Sequence, residues 1–176
     1  MKNPVERLTD RLIAGDSQKA VLVFSEKNRR YFTQFPATDG VLLITAEEAY
    51  LLMDFRYEEA AHYQAKNCTV VGFTSLMAKV EELLKKHGVK QVYMETEMLS
   101  VAQARRFEKC FEGAGAQAVL DETLDNAIRD LRMIKSPEEV KKIEASQEIT
   151  DAAFQHILPY IKEGVTERDL ALEIEF

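Results

Sequence analysis

The sequence predicts an α/β fold, a mixed β-sheet with helices on both faces, followed by a purely helical segment. Three features carry that prediction. Two apolar runs, 40–44 and 50–53, are joined by a short connector containing the polar Thr45-Ala46-Glu47-Glu48, too short for anything but antiparallel neighbours. From 55 to 120 helical and strand-like patterns alternate, which calls for parallel strands with helical crossovers. After Ser136 only helical stripes remain.

In chain order, Asn3 can cap a first helix, Pro4 suits its opening turn, and Val5, Leu8, Leu12 and Ile13 share a face before Gly15. Ala20-Val21-Leu22-Val23-Phe24 is short and β-branched, as a buried strand should be. Residues 32–40 read as an aromatic loop punctuated by Pro and Gly, and the hairpin follows. A helix is expected over about 55–66 and a strand over 68–73. The next helix carries the stripe Leu76, Val80, Leu83 and Leu84 and stops at Gly88. A strand over 89–94 leads to a helix opened by a Ser100/Gln103 capping box, and a strand over 116–120 closes the alternation. Leu124, Ile128 and Leu131 then mark a helix leading out. This gives one domain over 1–131, with 132–176 as a linker and further helices. Ser136-Pro137-Glu138-Glu139 is the strongest helix start in the chain. Its stripe of Val140, Ile143, Phe154 and Ile157 runs on toward Gly164, with Pro159 disturbing the end, and Thr166 with Asp169 opens a last helix.

With 176 residues, 46% of them hydrophobic and 30% charged, the chain has the composition of a globular protein, and disorder is excluded. A formal charge of −7 argues against a nucleic-acid partner, since the densest basic run, Lys27-Asn28-Arg29-Arg30, holds only three cations. No apolar run approaches the ~20 residues of a membrane span. The charged amino terminus does not resemble a signal peptide, so a cytoplasmic protein is expected. Cys68 and Cys110 have no metal-site spacing and read as reduced, buried thiols.

Few residues carry a chemical signal. His62, His87 and His156 lie on separate helical patterns without metal-ligand spacing and read as surface or half-buried residues. There is no phosphate-cradling loop and no nucleophile elbow. Glu95 and Glu97 follow a strand, a weak signal for catalytic acids. Asp54-Phe55-Arg56-Tyr57 forms a strand-to-helix corner, where Asp54 can cap the helix and Arg56 can reach a neighbouring carboxylate. The 32–40 loop has two readings, either a surface that touches a ligand or partner or a loop whose Phe rings pack onto the sheet.

Several segments together resemble the Xaa-Pro peptidases, the prolidases and aminopeptidase P relatives that share an architecture with creatinase. They are Asn28-Arg29-Arg30-Tyr31-Phe32-Thr33-Gln34-Phe35, then Met53-Asp54-Phe55-Arg56-Tyr57, and above all Leu131-Arg132-Met133-Ile134-Lys135-Ser136-Pro137-Glu138-Glu139, with Ile149-Thr150-Asp151-Ala152-Ala153-Phe154 and Lys162-Glu163-Gly164-Val165-Thr166-Glu167 continuing the match. One departure is Gln34, where the family usually has Gly. The resemblance implies a creatinase-like amino-terminal domain followed by the first helices of a "pita-bread" catalytic domain. In the full-length enzyme two divalent metal ions (Mn, Co or Zn) would activate the hydroxide that cleaves the bond before proline. None of the family's metal ligands can be placed on this chain, so the fragment by itself is expected to be inactive. The resemblance also implies a homodimer in which this domain borders the partner's active-site entrance. Phe35, Thr38 and Asp39 are then expected to gate peptide length. Two alternatives are a creatinase-type amidinohydrolase and a non-catalytic binding or dimerisation module. Without the rest of a catalytic domain, the segment after Arg132 is expected to be disordered or to bury its stripe by self-association.

Overall fold

The structure, a computed structural model, describes residues 2–175. The chain divides into two compact units that meet between Met133 and Ile134. The first unit carries six strands, β1 (Lys19–Val23), β2 (Val41–Ile44), β3 (Ala49–Met53), β4 (Thr69–Gly72), β5 (Gln91–Met94) and β6 (Gln117–Val119), in the order β4-β3-β2-β1-β5-β6. Only β2 runs against its neighbours β1 and β3, while β3–β4, β1–β5 and β5–β6 pair in parallel. The carboxyl ends of five strands therefore share one edge of the sheet with the start of β2. The mixed sheet of the expected fold class is present.

The apolar runs are strands because both faces are covered. On one face Val21, Val23, Leu42, Ile44, Leu51 and Met53 pack with side chains of α1 (Pro4–Leu12), α2 (Glu26–Thr33), α3 (Phe55–Gln64) and α6 (Thr123–Met133), among them Leu8, Phe32, Ala61 and Ile128. On the other, Leu22, Leu43, Leu52, Val92 and Met94 meet Val80, Leu84, Phe107 and Phe111 of α4 (Leu76–Lys86) and α5 (Val101–Gly113). Leu51 and Leu52 go to opposite faces, as the two-residue period of a strand requires. The hairpin register runs from Val41↔Leu52 to Ile44↔Ala49, and the Thr45 N–H closes the turn on the Glu48 carbonyl at 2.9 Å.

One element differs from expectation. Residues 26–33, unassigned or read as loop in the sequence, form α2. Its buried positions, Arg29, Phe32 and Thr33, have helical spacing, but two of the three are polar, so no apolar stripe announces the helix.

The second unit holds α7 (Pro137–Ile157), a short 3-10 turn (Leu158–Tyr160) and α8 (Glu167–Glu175). The expected box forms at its start, with the Glu139 N–H donating to Ser136 Oγ at 3.2 Å and the Ser136 N–H to Glu139 Oε2 at 2.7 Å. The α-helix ends at Ile157, before Pro159 and short of Gly164. Ile157 is buried and His156 meets Glu173 of α8 at 2.9 Å, while Val140, Ile143 and Phe154 are exposed. Disorder after Arg132 is thus not what the structure shows, because the capping box and the packing of α7 on α8 define a helical unit.

Candidate functional site

The site is assembled where α2, the start of β2 and the end of β3 meet. Ser25 caps α2, accepting from the Asn28 N–H at 3.3 Å. The helix stops at Gln34, whose backbone is left-handed (φ 56°, ψ 14°). That conformation explains why glycine suits the position, since a residue with a Cβ pays a penalty there. Beyond it Phe35 and Ala37 turn into the core, whereas Thr38 and Asp39 are exposed. Of the two readings of this loop, the rings of Phe32 and Phe35 follow the packed one. Phe35 is 5% exposed, so any part it plays in gating is to hold the loop from beneath. Gly40 (φ 99°) then passes so close to β3 that a Cβ would lie 2.5 Å from the Leu52 carbonyl oxygen and 2.4 Å from Met53 Sδ.

Across from this loop, Asp54 caps α3. Its Oδ1 accepts from the Arg56 N–H at 2.9 Å, and its Oδ2 takes Arg56 Nε at 2.8 Å and Nη2 at 2.5 Å. The same Nη2 donates to Asp39 Oδ2 at 3.0 Å. The Thr38 and Tyr57 hydroxyls lie 2.8 Å apart, and the Arg56 guanidinium lies 5.5 Å from the Tyr57 ring centre. Thr38, Asp39, Asp54, Arg56 and Tyr57, expected as two separate features, are therefore one polar network on the carboxyl edge of the sheet. The hydrogen bond from Arg56 holds the Asp54 carboxyl below its ordinary value, and the same bond raises the Arg56 guanidinium. These charges are exposed, so the network orients groups more than it stabilises the fold.

Beneath the network lies a layer in which sequence reasoning missed Arg29 and read Glu95 only as a weak catalytic-acid signal. Arg29 is 4% exposed and donates to three backbone carbonyls, those of Phe24, Gly40 (2.6 Å) and Ala37 (2.7 Å). Burial pushes its guanidinium below the usual arginine range. Glu95, 1% exposed, accepts from the N–H groups of Phe24 at 2.7 Å and Ser25 at 2.8 Å and from Asn28 Nδ2 at 2.5 Å. It braces the β1–α2 turn, and Glu97 pairs with Arg129 on the surface.

The histidines lie apart from this site. His87 is more deeply placed than expected, its side chain 6% exposed between Tyr50 (2.8 Å) and Glu47 (3.3 Å). His62 and Glu58 do sit four residues apart on α3, a spacing the sequence reading overlooked, at 3.9 Å. Among the described residues no three His, Cys, Asp or Glu side chains converge as a metal site requires. Burial pushes both thiols, Cys68 and Cys110, up to about 11.

Residues 5–134 match the Creatinase/Prolidase N-terminal domain family, and the chain belongs to it. A Xaa-Pro dipeptidase from Pyrococcus horikoshii is 31% identical over 172 residues, which cover 92% of this chain and 43% of that protein. A solved Xaa-Pro dipeptidase from Bacillus anthracis superposes with a TM-score of 0.86 at 31% identity, over 98% of this chain and 47% of its own. The N-terminal domain of a cytoplasmic peptidase from Mycobacterium tuberculosis, 23% identical, shares the fold at a TM-score of 0.61 over 72% of this chain and 99% of its own. The chain spans less than half the length of the curated relatives it matches.

Proposed function

We propose that this chain is the amino-terminal part of a Xaa-Pro metallopeptidase, a hydrolase of the cytoplasm, and that its Thr38–Asp39 loop lines the route by which peptides reach the active site. The observation that carries the reading is the single network of Thr38, Asp39, Asp54, Arg56 and Tyr57 at the sheet's carboxyl edge, the edge at which open α/β sheets receive ligands. The dipeptidase names of the relatives favour a peptidase over an amidinohydrolase.

The two divalent ions that such an enzyme uses do not fit the residues present here. The carboxylates at this edge are committed, Asp39 and Asp54 to Arg56 and Glu95 to backbone N–H groups. The metal-binding residues and the cleavage therefore belong to the catalytic domain, and this chain contributes substrate access. In the homodimer the loop of one subunit faces the entrance of the other. Replacing Asp39→Ala in the longer protein should change the ratio of kcat/KM for dipeptide and tripeptide Xaa-Pro substrates by about tenfold, equivalent to ~1.4 kcal/mol of discrimination. An unchanged ratio would remove the loop from the entrance.

A further inference from the structure

We propose that Arg29 is the positioning residue of the Thr38–Asp39 loop, a buried guanidinium that sets how these two side chains are presented without touching any ligand itself. This rests on the reading of the loop as part of the peptide entrance. Nη1 donates to the Gly40 carbonyl at 2.6 Å and Nη2 to the Ala37 carbonyl at 2.7 Å, so one planar group grips the backbone on both sides of Thr38 and Asp39. The third contact, to the Phe24 carbonyl at the end of β1, ties that grip to the centre of the sheet. Thr38 and Asp39 are left between the two held carbonyls, facing Tyr57 and Arg56.

The choice of residue fits this role. A buried cation is costly to desolvate, and among the described residues Arg29 makes no ion pair within 4 Å. A fork of fixed geometry is what bridging several carbonyls requires, and a lysine ammonium on a flexible stem cannot reproduce it. Arg29 also sits on a well-braced base, since its own carbonyl accepts from the Thr33 hydroxyl at 2.8 Å and Asn28 beside it is held by Glu95. The outer hold on the loop, through Arg56 and Tyr57, is exposed and correspondingly weak.

The test compares Arg29→Lys with Arg56→Ala in the 176-residue chain by backbone 15N relaxation. With Arg29→Lys, the order parameters of residues 37–40 should fall from the rigid range near ~0.85 to below about 0.6, while those of β2 and β3 stay unchanged. With Arg56→Ala they should stay in the rigid range, because the inner grip remains. A loop that stays rigid in Arg29→Lys, or is freed by Arg56→Ala alone, would overturn the assignment. If Arg29→Lys does not fold, a loop freed by Arg56→Ala alone would still overturn the assignment. Kinetics of the longer protein carrying Arg29→Lys separate the two claims. A freed loop with a raised KM and a nearly unchanged kcat supports both, and a freed loop with unaltered kinetics supports the anchor while counting against the entrance.

Discussion

Gln34 shows how much one residue can record. It holds a left-handed backbone at the end of α2 (φ 56°), and the departure from glycine that the family resemblance exposes falls on that position. Gln34→Gly should therefore stabilise the chain by roughly 0.5–1 kcal/mol, read as a higher urea midpoint with an unchanged slope, and a loss of stability would contradict the conformational argument. Other residues were legible to different degrees. Asp54 was readable as a cap because its signal is local, and the N–H it accepts from belongs to Arg56, two residues on. The Asp39–Arg56 and Thr38–Tyr57 contacts span 17 and 19 residues, yet a usable signal was present. Extending the hairpin register beyond Val41↔Leu52 sets Asp39 across from Asp54. Arg29 was hidden for a plainer reason, since an arginine in a basic run reads as a solvated charge, and only the three inward carbonyls reveal it.

At the scale of elements, every strand was marked by its own apolar pattern, and two of the helix starts by capping boxes that form as the sequence implies. The helix α2 escaped because its buried face is built from Arg29, Phe32 and Thr33 and its stability comes from tertiary hydrogen bonds rather than an apolar stripe. Glu95 supplies the most important of these. It follows β5 and reaches across to the parallel neighbour β1, where it satisfies the two N–H groups that open the β1–α2 turn. Removing it leaves those partly buried donors without their partner, at roughly 1–3 kcal/mol each. Glu95→Ala should thus lower stability by about 3 kcal/mol in urea unfolding. A loss below about 1 kcal/mol would show that the turn does not depend on the carboxylate.

For the whole molecule, the fold and the family belong to the first unit, and the polar network lies wholly within it. The second unit has well-formed helices yet leaves the side chains of Val140, Ile143 and Phe154 exposed. In the function proposed above, the first unit would control which peptides arrive and a catalytic domain would perform the cleavage. The most direct measurement is hydrolysis of Xaa-Pro dipeptides and tripeptides by the longer protein that begins with this chain, supplied in turn with Mn, Co and Zn. The account predicts cleavage before proline that is lost on chelation and restored by metal. Failure to cleave any Xaa-Pro peptide with all three metals supplied would contradict it.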